Sequence, residues 1–121
     1  YGTNTFSAFY SRKTAFKIQR VNAIKKIVET FKNHISFGLS SSVLVSNPIP
    51  KKHNISTQEI EQTIQNALKK ASDLQVYGKN LTPFLLNSIL TQSKGRSLVA
   101  NKSLALNNVR LGAKISHALS N

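Results

Sequence analysis

The chain has 121 residues with 17 Lys and Arg against 4 Asp and Glu, and no Cys, Met or Trp. This length predicts one domain over 1–121 that can bury a core unaided, and the absence of cysteine excludes disulfide scaffolds, zinc ribbons and thiol catalysis. The net charge of +13 divides as +7 over residues 1–60 and +6 over 61–121, so the whole chain is basic and favours polyanionic partners, nucleic acid first.

Residues 1–14 mix Gly, Ser, Thr and Asn with Phe6, Phe9 and Tyr10 and lack helical period. They read as an extended or looped lead-in with a cut or processed start, and Ala15 to Ile18 as a short strand. From Asn22, an expected N-cap, Ile24, Ile27, Val28, Phe31 and Ile35 recur at helical spacing until Gly38 to Ser42 break the pattern. Val43-Leu44-Val45 predicts a buried strand that feeds the rigid loop Asn47-Pro48-Ile49-Pro50, where each proline removes a backbone donor. Ser56-Thr57-Gln58-Glu59 has capping-box spacing, and Ile60, Ile64, Ala67 or Leu68, and Ala71 carry a helix toward Leu74 with Gly78 as its expected stop. Thr82-Pro83 predicts a capped start for a helix with Phe84, Leu85, Leu86, Ile89 and Leu90, ending near Gly95. Ser97 is the expected cap of the longest helix, whose stripe Asn101, Leu104, Asn108, Leu111, Ile115 places two amides on an apolar face. One or two strands cannot stand alone, so the expected fold class is α/β: a helix-rich portion of a larger sheet structure.

His34, His53 and His117 share no ligand spacing and have few carboxylates to join them, which argues against a metal site within the chain. The longest uncharged apolar run is far short of a membrane span, so no membrane partner is expected. Arg12, Lys13, Lys17 and Arg20 near the start, and Lys94, Arg96, Lys102 and Arg110 near the end, are the candidate phosphate or RNA contacts. The nine aromatics read mainly as core.

Phe9-Tyr10-Ser11-Arg12, Asn47-Pro48-Ile49-Pro50, Thr82-Pro83-Phe84-Leu85-Leu86 and Gly95-Arg96-Ser97-Leu98-Val99-Ala100-Asn101, followed by Asn107-Asn108, stand in an order that resembles the C-terminal part of the pseudouridine-5'-phosphate glycosidase (indigoidine synthase A-like) family. The resemblance implies an α/β/α fold with a central mixed sheet, usually a homotrimer. It also implies reversible joining of uracil and ribose 5-phosphate through a lysine imine, helped by a glutamate and an aspartate-bound divalent metal, typically manganese. Those three residues belong to the family's N-terminal part, so no catalytic residue, metal ligand or cofactor is expected in this chain. The residue the resemblance carries over is Asn101, which implies a substrate-facing amide. Asn108 is picked out by periodicity alone and reads as a structural amide.

Several positions depart from the family's pattern. Thr14-Ala15 replaces a Ser-Gly pair, Lys94-Gly95 a glycine pair, Lys51-Lys52 acidic residues, and Lys102 an apolar residue. Three of these four changes add positive charge, and the loss of a glycine removes easy access to positive φ. The charge favours a catalytically incomplete, repurposed family member serving as a structural or RNA-contacting part of a ribonucleoprotein. An organellar, mitochondrial ribosome leads that expectation, with RNA and other proteins as partners and the cytoplasm as the other location. The alternative is the C-terminal fragment of an authentic glycosidase with a complementary N-terminal half. A third reading is a small basic interaction module unrelated to RNA.

Overall fold

The computed structural model describes residues 1–8, 10–12 and 14–120. Four helices dominate: α1 (Ile24–Ser36), α2 (Thr57–Asp73), α3 (Leu81–Gln92) and α4 (Arg96–Ser120). Single 3-10 turns, Lys51–His53 and Gly78–Asn80, precede α2 and α3. Helix α2 packs on α3, α1 packs on α4, and α4 also meets α3 and the Lys51–His53 turn. The core gathers Tyr10, Ile49, Ile55, Ile60, Ala67, Ile89 and Ala100, with Ile64, Leu85 and Leu104 packed against it.

Among the described residues no strand forms, so the expected mixed sheet is not seen within this chain. The lead-in does pair with itself. Gly2 N–H donates to the Val21 carbonyl (2.7 Å), Ile18 N–H to Asn4 (3.1 Å) and Phe6 N–H to Phe16 (2.8 Å), but this yields only one antiparallel bridge, Thr5 to Lys17. The strand expected at 15–18 is thus one side of a minimal ribbon. Val43-Leu44-Val45 has no regular secondary structure, and Leu44 is 78% exposed rather than buried. β-branched residues favour an extended backbone, but a strand exists only when a neighbour supplies its hydrogen bonds.

The helix starts correct three expectations. Asn22 does not cap α1: its side chain accepts from Arg20 Nε (2.9 Å), and Ala23 holds the cap position without a side-chain bond. Helix α3 starts at Leu81, one residue ahead of the expected Thr82 cap, and Pro83 still falls in the first turn, where its missing N–H costs nothing. Ser97 lies inside α4, and the hydroxyl serving that end is Ser93 Oγ, which accepts from Ser97 N–H (3.1 Å). Ser56 does cap α2, accepting from Glu59 N–H (3.2 Å).

Most of the aromatics are not core. Tyr10 is buried, but Phe16, Phe37 and Tyr77 are largely exposed and Phe6 and Phe31 partly so; Phe9 lies outside the described residues.

Three helices end in one geometry. After α1, Leu39 N–H reaches His34 O (3.2 Å) and Gly38 N–H reaches Ile35 O (2.9 Å). After α2, Val76 reaches Ala71 (2.8 Å) and Gln75 reaches Ser72 (3.0 Å). After α3, Gly95 reaches Leu90 (2.9 Å) and Lys94 reaches Thr91 (3.1 Å). These paired bonds are Schellman closures, which require positive φ at the first residue beyond the cap. Gly38 supplies it easily (φ 72°), whereas Gln75 (φ 53°) and Lys94 (φ 51°) adopt it despite their Cβ atoms. The stop expected at Gly78 therefore falls earlier, at Gln75, while the one expected near Gly95 does fall there, with Lys94 as its left-handed residue. Gln75→Gly and Lys94→Gly should each stabilise the chain by up to about 1 kcal/mol, and Gly38→Ala should destabilise it by about the same, read as midpoint shifts in urea unfolding.

Candidate functional site

Positions 101, 104, 105 and 108 fall on one side of α4 because three- and four-residue steps return to the same face. With Thr82 and Leu86 from α3 and Tyr10 from the lead-in, Asn101, Leu104, Ala105 and Asn108 line an open cavity of about 520 Å3. The lining carries no charged side chain. Asn101 is half-buried, and its amide makes no hydrogen bond among the described residues. A half-buried amide keeps one acceptor and two donors available for a bound group.

Beside the cavity, the Asn-Pro-Ile-Pro loop is held by side chains, one of them the cavity-lining Asn108. Asn47 Nδ2 donates to Asn108 Oδ1 (3.1 Å), and Asn107 Nδ2 donates to the Pro48 carbonyl (3.1 Å). The Arg12 guanidinium donates to the Ile49 carbonyl, while Arg12 N–H donates to Asn54 Oδ1 (2.8 Å). Ile49 is completely buried, and Ile55 N–H closes onto the Tyr10 carbonyl (2.9 Å). The Asn-Pro-Ile-Pro loop is thus tied to α4 on one side and to the lead-in on the other.

The candidate cations do not converge on this cavity. Arg12 is half-buried and engaged with the loop. Arg96 reaches across to α2, with Nη1 and Nη2 at 2.5 and 3.4 Å from the Glu59 carboxylate. Arg20 is exposed and bonds Asn22. Lys17, Lys94, Lys102 and Arg110 are exposed, and Lys13 lies outside the described residues. No three His, Asp or Glu side chains among the described residues come together to hold a metal ion. Reasoning from sequence alone missed Asn47 and Asn107 as residues that tie the loop to α4. Their signal is the two prolines, which leave a loop short of backbone donors and dependent on side chains.

Among the described residues the class is a helical segment with an amide-bearing cavity on α4, and comparison identifies its family. The chain belongs to the family described as indigoidine synthase A like protein, whose match covers residues 1–118. It is 39% identical over 117 residues to a pseudouridine-5'-phosphate glycosidase of Petrotoga mobilis, covering 96% of this chain and 38% of that protein. Against the enzyme of the same name from Mesorhizobium japonicum it is 41% identical over 120 residues, covering 98% and 39%. It superimposes on an indigoidine synthase A-like protein of Thermotoga maritima with a TM-score of 0.86 at 30% identity, covering all of this chain and 40% of that one. A fold match at 24% identity, TM-score 0.92, is to the prealnumycin C-glycosynthase AlnA in complex with ribulose 5-phosphate, covering 99% and 40%. The chain matches the C-terminal part of its relatives and spans about two fifths of their length.

The two arginine contacts differ in burial and should respond differently to substitution. Arg96→Ala removes a pair whose side chains are both about half exposed, so it should cost at most about 1 kcal/mol, and less at 1 M salt. Arg12→Ala leaves a carbonyl of a buried loop residue without its donor and should cost about 1–3 kcal/mol at either salt concentration. Urea unfolding at low and high salt checks both.

Proposed function

We propose that this chain is the C-terminal portion of a C-glycosidase that cleaves pseudouridine 5'-phosphate to uracil and ribose 5-phosphate, with Asn101 facing the base. The observation that carries this reading is the half-buried, unbonded Asn101 amide on the wall of a cavity whose lining is otherwise largely apolar. A uracil ring presents carbonyl acceptors and N–H donors along one edge, and a single amide can answer one of each, while Leu86, Leu104 and Tyr10 offer surface to its apolar faces. The names of the relatives support the same substrate class. The lining holds no cation, so the phosphate of such a substrate requires residues outside this cavity.

The expected ribosomal role finds no support among these relatives, and the readings as an RNA-binding protein or a pseudoenzyme find none either. Three of the candidate RNA contacts, Arg12, Arg20 and Arg96, are already engaged within the chain. The family resemblance assigns the lysine, glutamate and aspartate of the reaction to a part these 121 residues do not match, so this segment contributes base recognition in the proposed enzyme.

The test is uracil release from pseudouridine 5'-phosphate with manganese supplied. The complete native polypeptide should release uracil, and Asn101→Ala should lower kcat/KM about tenfold or more, the scale of one lost buried hydrogen bond. The 121-residue segment alone should release none. Absence of cleavage by the complete polypeptide, or cleavage indifferent to Asn101→Ala, overturns the proposal.

A further inference from the structure

Residues 47, 48 and 49 are each held by a side chain from elsewhere: Asn47 by Asn108, the Pro48 carbonyl by Asn107, and the Ile49 carbonyl by Arg12. Proline at 48 and 50 removes two of the four backbone donors in this stretch, so the loop cannot be secured by a β-ladder. Asn108 lies seven residues after Asn101 on the same face of α4 and lines the Asn101 cavity. It also lines a neighbouring cavity of about 460 Å3 that Asn47 borders, so the Asn47–Asn108 contact stands at the partition between the two. We infer that Asn108 is a positioning residue: held by Asn47, and with Asn107 beside it, it clamps the Asn-Pro-Ile-Pro loop to α4 and so fixes its own place in the partition between the neighbouring cavity and the one that Asn101 lines.

The chemistry makes the clamp separable from direct ligand contact. Two facing amides make a donor–acceptor bond in either orientation, and a single carboxylate opposite an amide still makes one, because the amide can present its NH2 group. Two carboxylates cannot, since both only accept. Asn108→Asp and Asn47→Asp should therefore each preserve the clamp, and the double substitution should release it. Acidification toward the carboxylate range should restore it, as one protonated carboxyl can donate to the other. No other acidic side chain of the described residues lines either cavity, and the hydroxyls there are those of Tyr10, Thr82, Thr14, Ser7 and Ser46.

The role in substrate binding rests on the reading of Asn101 above, so the experiment uses two readouts on the complete native polypeptide. Asn47→Ala, Asn108→Ala and the double variant are compared first by backbone hydrogen exchange across residues 45–55 without substrate, and then by KM and kcat for pseudouridine 5'-phosphate. The bond is exposed, so modest effects are expected. Each single variant should speed loop exchange and raise KM about three- to fivefold with kcat nearly unchanged. The double variant should match the singles instead of multiplying them, because each removes the same bond. Asn47→Asp, which keeps the bond and lies outside the Asn101 cavity, should leave KM at the wild-type value.

Effects that multiply, or a KM that rises with Asn108→Ala but not with Asn47→Ala, mean that Asn108 meets substrate directly and overturn the inference. A lowered melting temperature with unchanged KM shows packing alone and also overturns it. If the complete polypeptide cleaves nothing, the functional proposal fails by itself. The exchange cycle then decides the clamp: non-additive loosening of the loop supports it, and additive or absent loosening removes it.

Discussion

Ile49 sits completely buried between two prolines, and the organisation of this chain follows from that constraint. Burying an isoleucine stabilises by about 1.5–3 kcal/mol, yet burying its loop brings backbone carbonyls out of water with few neighbouring N–H groups to meet them. Side chains and one tight turn resolve the conflict. Asn107 answers Pro48, Arg12 answers Ile49, and His53 N–H answers Pro50 at 3.0 Å as the chain turns into Lys51–His53. Because those donors come from α4 and from the lead-in, both must be correctly placed for Ile49 to enter the core. The loop therefore couples the two ends of the sequence, and the cavity bearing Asn101 forms where they meet.

The helices were legible in the sequence because amphipathic spacing is a local property. Ile60, Ala67 and Ala71 mark the buried side of α2, and Leu104 and Leu111 that of α4, as their periodicity requires. Their ends were less legible. Rules of composition place helix stops at glycine, but the Schellman bonds formed at Gln75 and Lys94, where the hydrogen bonding of the last turn outweighs the steric cost of a left-handed residue. Strands were least legible. Val43-Leu44-Val45 has the composition of a strand, but pairing is non-local, and the described residues give this run no partner. The exposed Leu44 and Phe16 are those an α/β reading would bury, so the error lies in the missing neighbour and not in the residue preference.

The candidate site was legible in one residue and opaque in its surroundings. Asn101 stood out as a polar interruption of an apolar stripe, and the structure leaves its amide unbonded on a cavity wall. Asn108, on the same stripe, has a protein partner, so one periodic pattern contains two amides with different states of satisfaction. Periodicity reports which face a residue occupies and nothing about what lies opposite. Only the fold brings Asn47 across 61 residues of sequence to the second amide.

The abundant positive charge and the cavity are separate features of α4. From the Asn101–Asn108 stripe, a turn of 3.6 residues places Lys102 about 100° away and Arg110 on the far side. Both are exposed. The cavity keeps an uncharged lining although the chain carries +13. Lys94 affects the turn between α3 and α4 through its φ angle, and Arg96 links α4 to α2 through Glu59. Composition weighs every cation equally. The structure weighs them by position, and those with defined partners among the described residues hold the scaffold around a neutral site.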